Sequence, residues 1–170
     1  MFLIFANVLD NYQMKIIVLF ILAITLNENN IPDLMNRDQN SCSSETEISL
    51  NEYKWKNRIL VLFARDAESD LYQSQMKKFA TRESGIKDRD LLFVSVFEEG
   101  CSKINGQEIS DKSADSLRQR LKAGNKPFRI VLIGKDGTVK LQREKVLTPD
   151  ELFGIIDQMP MRRREMNGGR

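Results

Sequence analysis

Three apolar runs separated by amphipathic stretches dominate the pattern of residues 48–160. The runs are residues 59–64 (ILVLFA), 91–97 (LLFVSVF) and 128–133 (FRIVLI). Strands that are buried on both faces of a sheet have such nearly continuous apolar sequences. The pattern therefore predicts three central strands with helices on either side.

A fourth strand is predicted directly after the third. Residues 138–142 alternate, with Val139 and Leu141 on one face and Lys140 on the other, which is typical of a half-exposed edge strand. The intervening residues 134–137 read Gly-Lys-Asp-Gly, and an Asp-Gly pair favours a tight antiparallel hairpin turn. The third and fourth strands should therefore form a hairpin.

Helices occupy the remaining gaps. Apolar side chains at helical spacing predict a first helix that begins near Asp70 and a second near residues 113–122. The third begins at residues 148–151, where Thr, Pro, Asp and Glu match a capped helix start. The order is β-α-β-α-β-β-α, and right-handed crossovers make the first three strands parallel. We therefore predict an α/β, thioredoxin-like fold: a central four-stranded mixed sheet, with three parallel strands and one antiparallel hairpin strand, flanked by helices.

The first part of the chain is organised differently. Residues 16–26 are an unbroken apolar run behind Lys15. The run is shorter than the roughly 20 residues that span a bilayer, so it favours a secretory signal over a buried helix. We predict a signal peptide or uncleaved anchor over 1–26, translation starting at Met1 or Met14, and a secreted or periplasmic protein. Membrane contact is expected only through residues 1–26.

The rest of the chain divides by composition. Residues 27–47 are rich in Asn, Asp, Ser and Glu, and such a segment buries too little apolar surface to order itself. It is predicted to be a flexible linker, followed by the folded domain over 48–160 and a basic tail over 161–170.

Composition also removes several classes of chemistry. The chain has no histidine, which excludes Ser-His-Asp and Cys-His catalysis, and its two cysteines are too few for a structural zinc site. The net charge of +2 is too small to indicate nucleic-acid binding. We expect no metal, no cofactor and no nucleic acid, and the balance leans away from an enzyme.

The junction between the first strand and the first helix lacks sulfur. In thioredoxin-like oxidoreductases two cysteines occupy this helix start, where the positive helix end lowers the thiol pKa. Here Ala67 and Asp70 stand at about those positions, so dithiol exchange at the usual place is excluded.

The same junction is where this kind of fold usually binds its ligand. The alternative is a helix-capping Asp70 among solvated charges. Trp55, the only tryptophan, either covers an edge of the core or anchors a partner. The candidate ligand-binding residues are Arg65, Asp66, Asp70, Tyr72, Gln75 and Trp55.

The two cysteines leave three possibilities open: a Cys42–Cys101 disulfide, two free thiols, or intermolecular bonds. Cys101 follows Glu98 and Glu99, and two acidic neighbours would raise a thiol pKa. A thiol-dependent oxidoreductase or peroxidase that uses Cys101 nevertheless remains an alternative function.

The C-terminal tail is basic. Arg162, Arg163 and Arg164 could contact a polyanion or lipid headgroups, and a solvated tail is the simpler interpretation. Met159, Met161 and Met166 are soft ligands, but without histidine or a nearby cysteine they do not indicate a copper site.

Four ordered motifs resemble a known family: residues 50–64 (LNEYKWKNRILVLFA), 88–91 (DRDL), 133–137 (IGKDG) and 159–163 (MPMRR). They are similar to an uncharacterised domain of exported bacterial proteins. That domain also forms the C-terminal part of vertebrate sushi-repeat-containing secreted proteins and repeats in a coiled-coil-domain-containing matrix protein. The resemblance implies a thioredoxin-like fold without the cysteine pair. It favours an exported, non-catalytic binding or adaptor domain for an unknown protein or small ligand in the cell envelope.

Overall fold

A six-stranded mixed sheet carries the fold in the computed structural model, which describes residues 42, 44–124 and 126–168. The order across the sheet is β4-β3-β2-β1-β5-β6. The predicted signal segment and most of the predicted linker lie outside the described residues. The strands are β1 (Arg58–Ala64), β2 (Leu91–Phe97), β3 (Lys103–Ile104), β4 (Gln107–Glu108), β5 (Phe128–Ile133) and β6 (Val139–Arg143).

Five α-helices and one 3-10 turn (Leu50–Tyr53) complete the described part of the chain. The strongest start belongs to the fourth helix, where Thr148 and Glu151 cap each other's backbone N–H groups in a capping box. The helices are α1 (Asp70–Phe79), α2 (Glu83–Asp88), α3 (Asp111–Arg120), α4 (Pro149–Asp157) and α5 (Pro160–Met166).

The mixed α/β sheet flanked by helices is confirmed, but the direction of one strand was predicted wrongly. β1 and β2 are parallel, whereas β5 runs antiparallel to β1, with Phe128 opposite Ala64. Between β4 and β5 the chain crosses the sheet through α3, since β5 lies on the other side of β1 from β2, β3 and β4. It re-enters at the end where β2 finishes, because Ala64 is paired both with Phe97, the last residue of β2, and with Phe128, the first residue of β5.

The sheet separates two apolar layers. β1 is buried throughout, and its residues alternate between the layers, with Val61 on the side of α3 and Leu62 on the side of α1 and α4. The exception to its apolar character is Arg58, a charged residue that is only 1% exposed. A buried charge needs partners, and the partners of Arg58 belong to the site described below.

The described end of the predicted linker is ordered by hydrogen bonds. Thr46 accepts a hydrogen bond from the Ser110 N–H at 2.9 Å, and the Ser44 hydroxyl donates to the Glu108 carbonyl at 2.9 Å. One backbone bond and one side-chain bond therefore attach this segment to the start of α3 and to β4. The described residues at the end of the predicted linker are thus bonded to the folded domain, and the boundary at residue 47 stays a prediction.

The predicted basic tail is also part of the fold. Its first residues form α5, and Arg162 is buried with 4% exposure. Only Arg163 and Arg164 of the three predicted tail arginines are exposed. None of the helices in the described ranges has the length and apolar composition needed to cross a membrane.

Candidate binding surface around Trp55

The predicted loop site uses its charges internally. The Asp66 carboxylate bonds to Arg65 at 2.7 Å, accepts from the Ser69 hydroxyl at 2.9 Å and accepts from the Glu68 N–H at 3.0 Å. The bonds from Arg65 and Ser69 lower the pKa of Asp66. Asp70 is the first residue of α1 and Ser69 precedes it, so Asp70 is not the N-cap residue that the alternative interpretation supposed.

The two predicted residues further along α1 serve the core. Gln75 is fully buried and bonds twice to the backbone of Leu147. The Tyr72 hydroxyl lies 3.0 Å from the Ser95 hydroxyl, and its ring packs edge-on against Phe97. The five junction residues therefore form their bonds within the domain, and their role as a ligand site stays a prediction. Gln75 is fully buried, and its amide is bonded through both of its polar atoms.

Both cysteines are joined in one disulfide. Cys42 and Cys101 lie 5.2 Å apart at their Cα atoms. The Glu99 N–H, just before Cys101, donates to the Arg65 carbonyl at 2.7 Å, so the disulfide lies on a loop that neighbours the β1–α1 junction. Its partner comes from the predicted linker and not from α1. In this oxidised form Cys101 is not a thiolate.

A network of ion pairs lies at the opposite ends of the strands, where β1 and β2 begin. The Lys135 ammonium bonds to Asp90 and to Glu165, each at 2.8 Å. The Arg58 guanidinium bonds to Glu165 at 3.2 Å and donates to the Arg89 carbonyl at 2.9 Å. The β1 start, the β2 start and the hairpin turn are thus joined to α5.

Arg162 extends the network to α2 and α4. Its guanidinium bonds to Asp157 at 3.2 Å, to the Asp88 carboxylate, and to the Asp88 carbonyl at 2.7 Å. Arg89 bonds to the other oxygen of Asp157 at 2.6 Å. Each of the four motifs of the family resemblance contributes a member, so motifs that are separate in sequence meet in one place.

Two carboxylates of this network, those of Glu165 and Asp157, have lowered pKa values. Burial alone would raise the pKa of Glu165, but the hydrogen bond from Lys135 and the charges of Arg58 and Lys135 outweigh it, and the pKa lies below its ordinary value. Burial and the bonds from Arg89 and Arg162 have the same opposed effects on Asp157, whose pKa is also lowered. The network is therefore a fixed set of charges at neutral pH.

Trp55 stands over this network. The residue is 65% exposed and its backbone has φ +65°. Its backbone N–H donates to the Lys135 carbonyl at 2.7 Å. The expectation that Trp55 covers a core edge is therefore wrong. It lies on the rim of a cleft of about 820 Å³. We name this the Trp55 cleft; it is lined by Trp55, Ser84, Lys87, Asp88, Asp90, Lys135, Met161, Arg162, Arg164 and Glu165.

The floor and rim of the Trp55 cleft differ in charge. The buried cations of the floor, Lys135 and Arg162, are paired with carboxylates. Lys87 and Arg164 are exposed at the rim, and within the described ranges neither forms an ion pair. The cleft therefore presents an indole surface beside these two cations, together with the carboxylates of Asp88 and Asp90, whose side chains are about half exposed.

Sequence reasoning singled out Trp55, Met161, Arg162 and Arg164 one by one but did not bring them together in one cleft. One signal was present: Arg58 directly precedes an apolar run, so a charge enters a buried strand. Lys135 was interpreted as part of a turn, and its backbone does form that turn, while its side chain serves the network.

The sheet and its helices define a thioredoxin-like fold. The structure resembles reduced Plasmodium vivax 2-Cys peroxiredoxin with a TM-score of 0.51 and 14% identity, covering 70% of this chain and 85% of that chain. It also resembles Plasmodium yoelii thioredoxin peroxidase I, with a TM-score of 0.50 and 20% identity, covering 71% of this chain and 82% of that chain. At such identities the likeness shows the fold alone.

The chain belongs to the DUF4174 family, a domain of unknown function whose model matches residues 49–165. It is 28% identical over 120 residues to the Rattus norvegicus sushi repeat-containing protein SRPX and 26% identical over 123 residues to Homo sapiens SRPX2. Both alignments cover 69% of this chain and 26% of the relative. The chain thus spans about a quarter of the relatives' length, and the family resemblance of the four motifs is confirmed.

Proposed function

We propose that this chain is an exported, non-catalytic binding domain that holds an acidic segment of a protein partner in the Trp55 cleft. One observation carries the proposal: a tryptophan that is largely exposed is held in a left-handed backbone conformation on the rim of that cleft.

The conformation of Trp55 is costly to the chain alone. An L-residue in the left-handed region loses roughly 1–2 kcal/mol, and a bulky residue there is an outlier. A ring that is 65% exposed recovers little of this by burial. Tryptophan is also enriched among the residues that dominate protein interfaces. Strain together with exposure supports a role in contact with a partner.

Charge selects the partner. The carboxylates of Asp88, Asp90 and Glu165 are paired with the buried cations Lys135 and Arg162, whereas Lys87, Arg164 and the adjacent Lys56 are exposed and form no ion pair within the described ranges. An acidic segment that carries an apolar side chain would cover the indole and pair with these cations. Its association should be faster at low salt, because exposed charges are screened as ionic strength rises.

The positions of the two cysteines support both export and the absence of thiol catalysis. A disulfide between the only two cysteines is stable in oxidising compartments and rare in the cytosol. The apolar run of residues 16–26 supplies the predicted export signal. With Ala67 and Asp70 at the junction, the position that supplies thiolates in related folds has none.

Site-specific crosslinking tests the proposal. A photoreactive phenylalanine analogue replaces Trp55 in the full chain, and the same analogue replaces Leu71, which is 43% exposed on α1, as the matched control. With extracellular and envelope fractions of the source cells, we expect a specific adduct from position 55 alone. The captured protein, once purified, should bind Trp55→Ala about thirtyfold more weakly than wild type and Leu71→Ala normally. Equal adducts at both positions, or unchanged binding by Trp55→Ala, would refute the proposal.

A thiol-dependent activity is the second candidate, because the Cys101 loop is hydrogen-bonded to the β1–α1 junction. It requires that Cys42–Cys101 be reduced during turnover. Insulin reduction or peroxide consumption that disappears in Cys101→Ser would favour it, and the same rates in wild type and variant would exclude it.

A further inference from the structure

A groove of about 1090 Å³ lies between α1 and the outer edge of the sheet formed by β2 and β3. On the opposite face, Ile104 of β3 and Leu117 of α3 are buried in one core layer. On the groove side the corresponding face of β2 is less covered, and Phe93 is only partly buried. The apolar lining is Tyr72, Met76, Phe79, Ile86 and Phe93.

One end of the groove is polar. Lys103 of β3 pairs with Ser95 of β2, so their side chains leave the sheet on the same face, and both line the groove. The Ser95 hydroxyl is hydrogen-bonded to the Tyr72 hydroxyl at 3.0 Å. Two hydroxyls that share one hydrogen bond keep one O–H free to donate. A cation and a hydroxyl donor thus face the same space.

Lys103 forms no ion pair among the described residues. It is half-buried, and although the exposed Glu108 is its cross-strand partner in β4, no carboxylate lies within ion-pair distance of its ammonium. A partly desolvated cation beside a hydroxyl donor is complementary to a single anionic head group. The apolar lining beyond it is complementary to an uncharged chain.

The part of β2 that β3 does not cover is a poor place for a peptide strand to pair. The Asn105 side chain accepts from the Phe93 N–H at 3.0 Å, and the Asn105 N–H donates to the Phe93 carbonyl at 2.8 Å. The outward hydrogen-bonding groups of Phe93 are therefore already used, and strand addition at this residue has nothing to pair with. The groove therefore suits a ligand whose anionic head group is bound by Lys103 and whose apolar chain packs against the lining.

We infer that this groove binds a linear amphiphile, a long-chain carboxylate, with the carboxylate at Lys103 and the alkyl chain over Met76, Phe79 and Phe93. Small-molecule sites are typically apolar cavities with a few placed polar groups, and the groove has this composition. The groove and the Trp55 cleft share Lys87 and Asp90 in their linings, but Lys103 and the apolar residues named here line the groove alone and Trp55 lines the cleft alone.

Titration of the full chain with dodecanoate tests the inference. The variant Lys103→Met keeps most of the aliphatic stem and removes the charge, and Lys145→Met, at an exposed lysine outside the groove, is the matched control. We expect Lys103→Met to bind about tenfold more weakly and Lys145→Met to match wild type, because a charge-assisted hydrogen bond is lost only in the first. Any binding by residues 1–26 is common to all three proteins and cancels in this comparison.

Two further measurements complete the test. Dodecyltrimethylammonium has the same chain length with a cationic head and should bind far more weakly than dodecanoate. In ¹⁵N spectra dodecanoate should shift Phe93 and Lys103, and it should do so equally in Trp55→Ala, which separates this inference from the proposed function. Equal binding by Lys103→Met and wild type, equal binding of the two amphiphiles, or shifts confined to the Trp55 cleft would each overturn it.

Discussion

Gln75 and Leu147 are joined by two hydrogen bonds that run in opposite directions. The Gln75 Nε2 donates to the Leu147 carbonyl at 2.8 Å, and its Oε1 accepts from the Leu147 N–H at 2.7 Å. The amide thereby satisfies both backbone groups of a residue outside any helix or strand, in a fully buried place. It attaches α1 to the segment that leads into α4.

Replacing Gln75 by Leu should therefore be strongly destabilising. Leucine fills a similar volume but leaves both buried backbone groups of Leu147 unpaired, which costs about 2–5 kcal/mol in total. Urea unfolding measures the loss, and Gln119→Leu, at an exposed glutamine on α3, should change the unfolding free energy by less than about 0.5 kcal/mol. Equal effects of the two substitutions would contradict the role of the amide.

The sequence predicts the parts of the fold that depend on local pattern. The apolar runs locate β1, β2 and β5, and the helix start at Thr148 is confirmed with its capping box. β3 and β4 escape prediction because two-residue strands carry no periodicity. Strand direction escapes it because the course of α3 is set by tertiary contacts.

The candidate site depends on contacts that no local pattern contains. Arg58 and Glu165 are 107 residues apart, and their pairing follows only from the docking of α5 beneath β1. Gln75 resembles a surface residue in the sequence, since a glutamine on a helix is normally solvated. Its two hydrogen bonds join it to Leu147, which is 72 residues away in the chain. Trp55 could be singled out by its type but not by its exposure.

Arg162 should matter more for stability than its neighbour Arg163. Arg162→Met removes one buried cation from Asp88 and Asp157, although Arg89 still bonds to Asp157. A fully buried pair broken in this way costs roughly 3–5 kcal/mol. Both carboxylates are partly exposed, so we expect about 2–3 kcal/mol. Arg163→Met, at an exposed position, should change little in the same unfolding experiment. A larger loss in Arg163→Met would show that α5 is not held by this network.

Glu165 should make stability depend on pH in the acid range. Its pKa is lower in the folded chain than in the unfolded one, so its contribution is fully present above the unfolded carboxylate pKa of about 4.3 and is lost as pH falls through the folded pKa. Glu165→Gln removes this titration, although it also weakens the bonds to Arg58 and Lys135. Unfolding free energies from pH 7 to pH 2 should therefore fall less steeply in Glu165→Gln than in wild type. Parallel curves would contradict the lowered pKa.

The disulfide should contribute to the stability of the whole described domain. Cys42 and Cys101 are 59 residues apart, and cross-linking a loop of that size restricts the unfolded chain by up to about 4 kcal/mol. The double variant Cys42→Ser/Cys101→Ser should lose about 2–4 kcal/mol and become insensitive to reductant. Wild type with reductant is the matched control and should approach the variant. Hydrogen exchange of the Ser110 N–H, which donates to Thr46, should also accelerate. Unchanged stability after reduction would show that the cross-link is not required.

Trp55 should show opposite effects on stability and on binding. At φ +65° glycine is free of the penalty that an L-residue carries, and the largely exposed indole contributes little burial. Trp55→Gly should therefore raise the unfolding free energy by about 1 kcal/mol, whereas Trp55→Ala keeps the strain and should be near neutral. Both variants remove the indole from the rim, so both should bind the partner identified by crosslinking about thirtyfold more weakly than wild type. If Trp55→Gly were instead destabilising by more than about 1 kcal/mol, the indole would be packing against its own domain, and the argument that its strain serves a partner would fail.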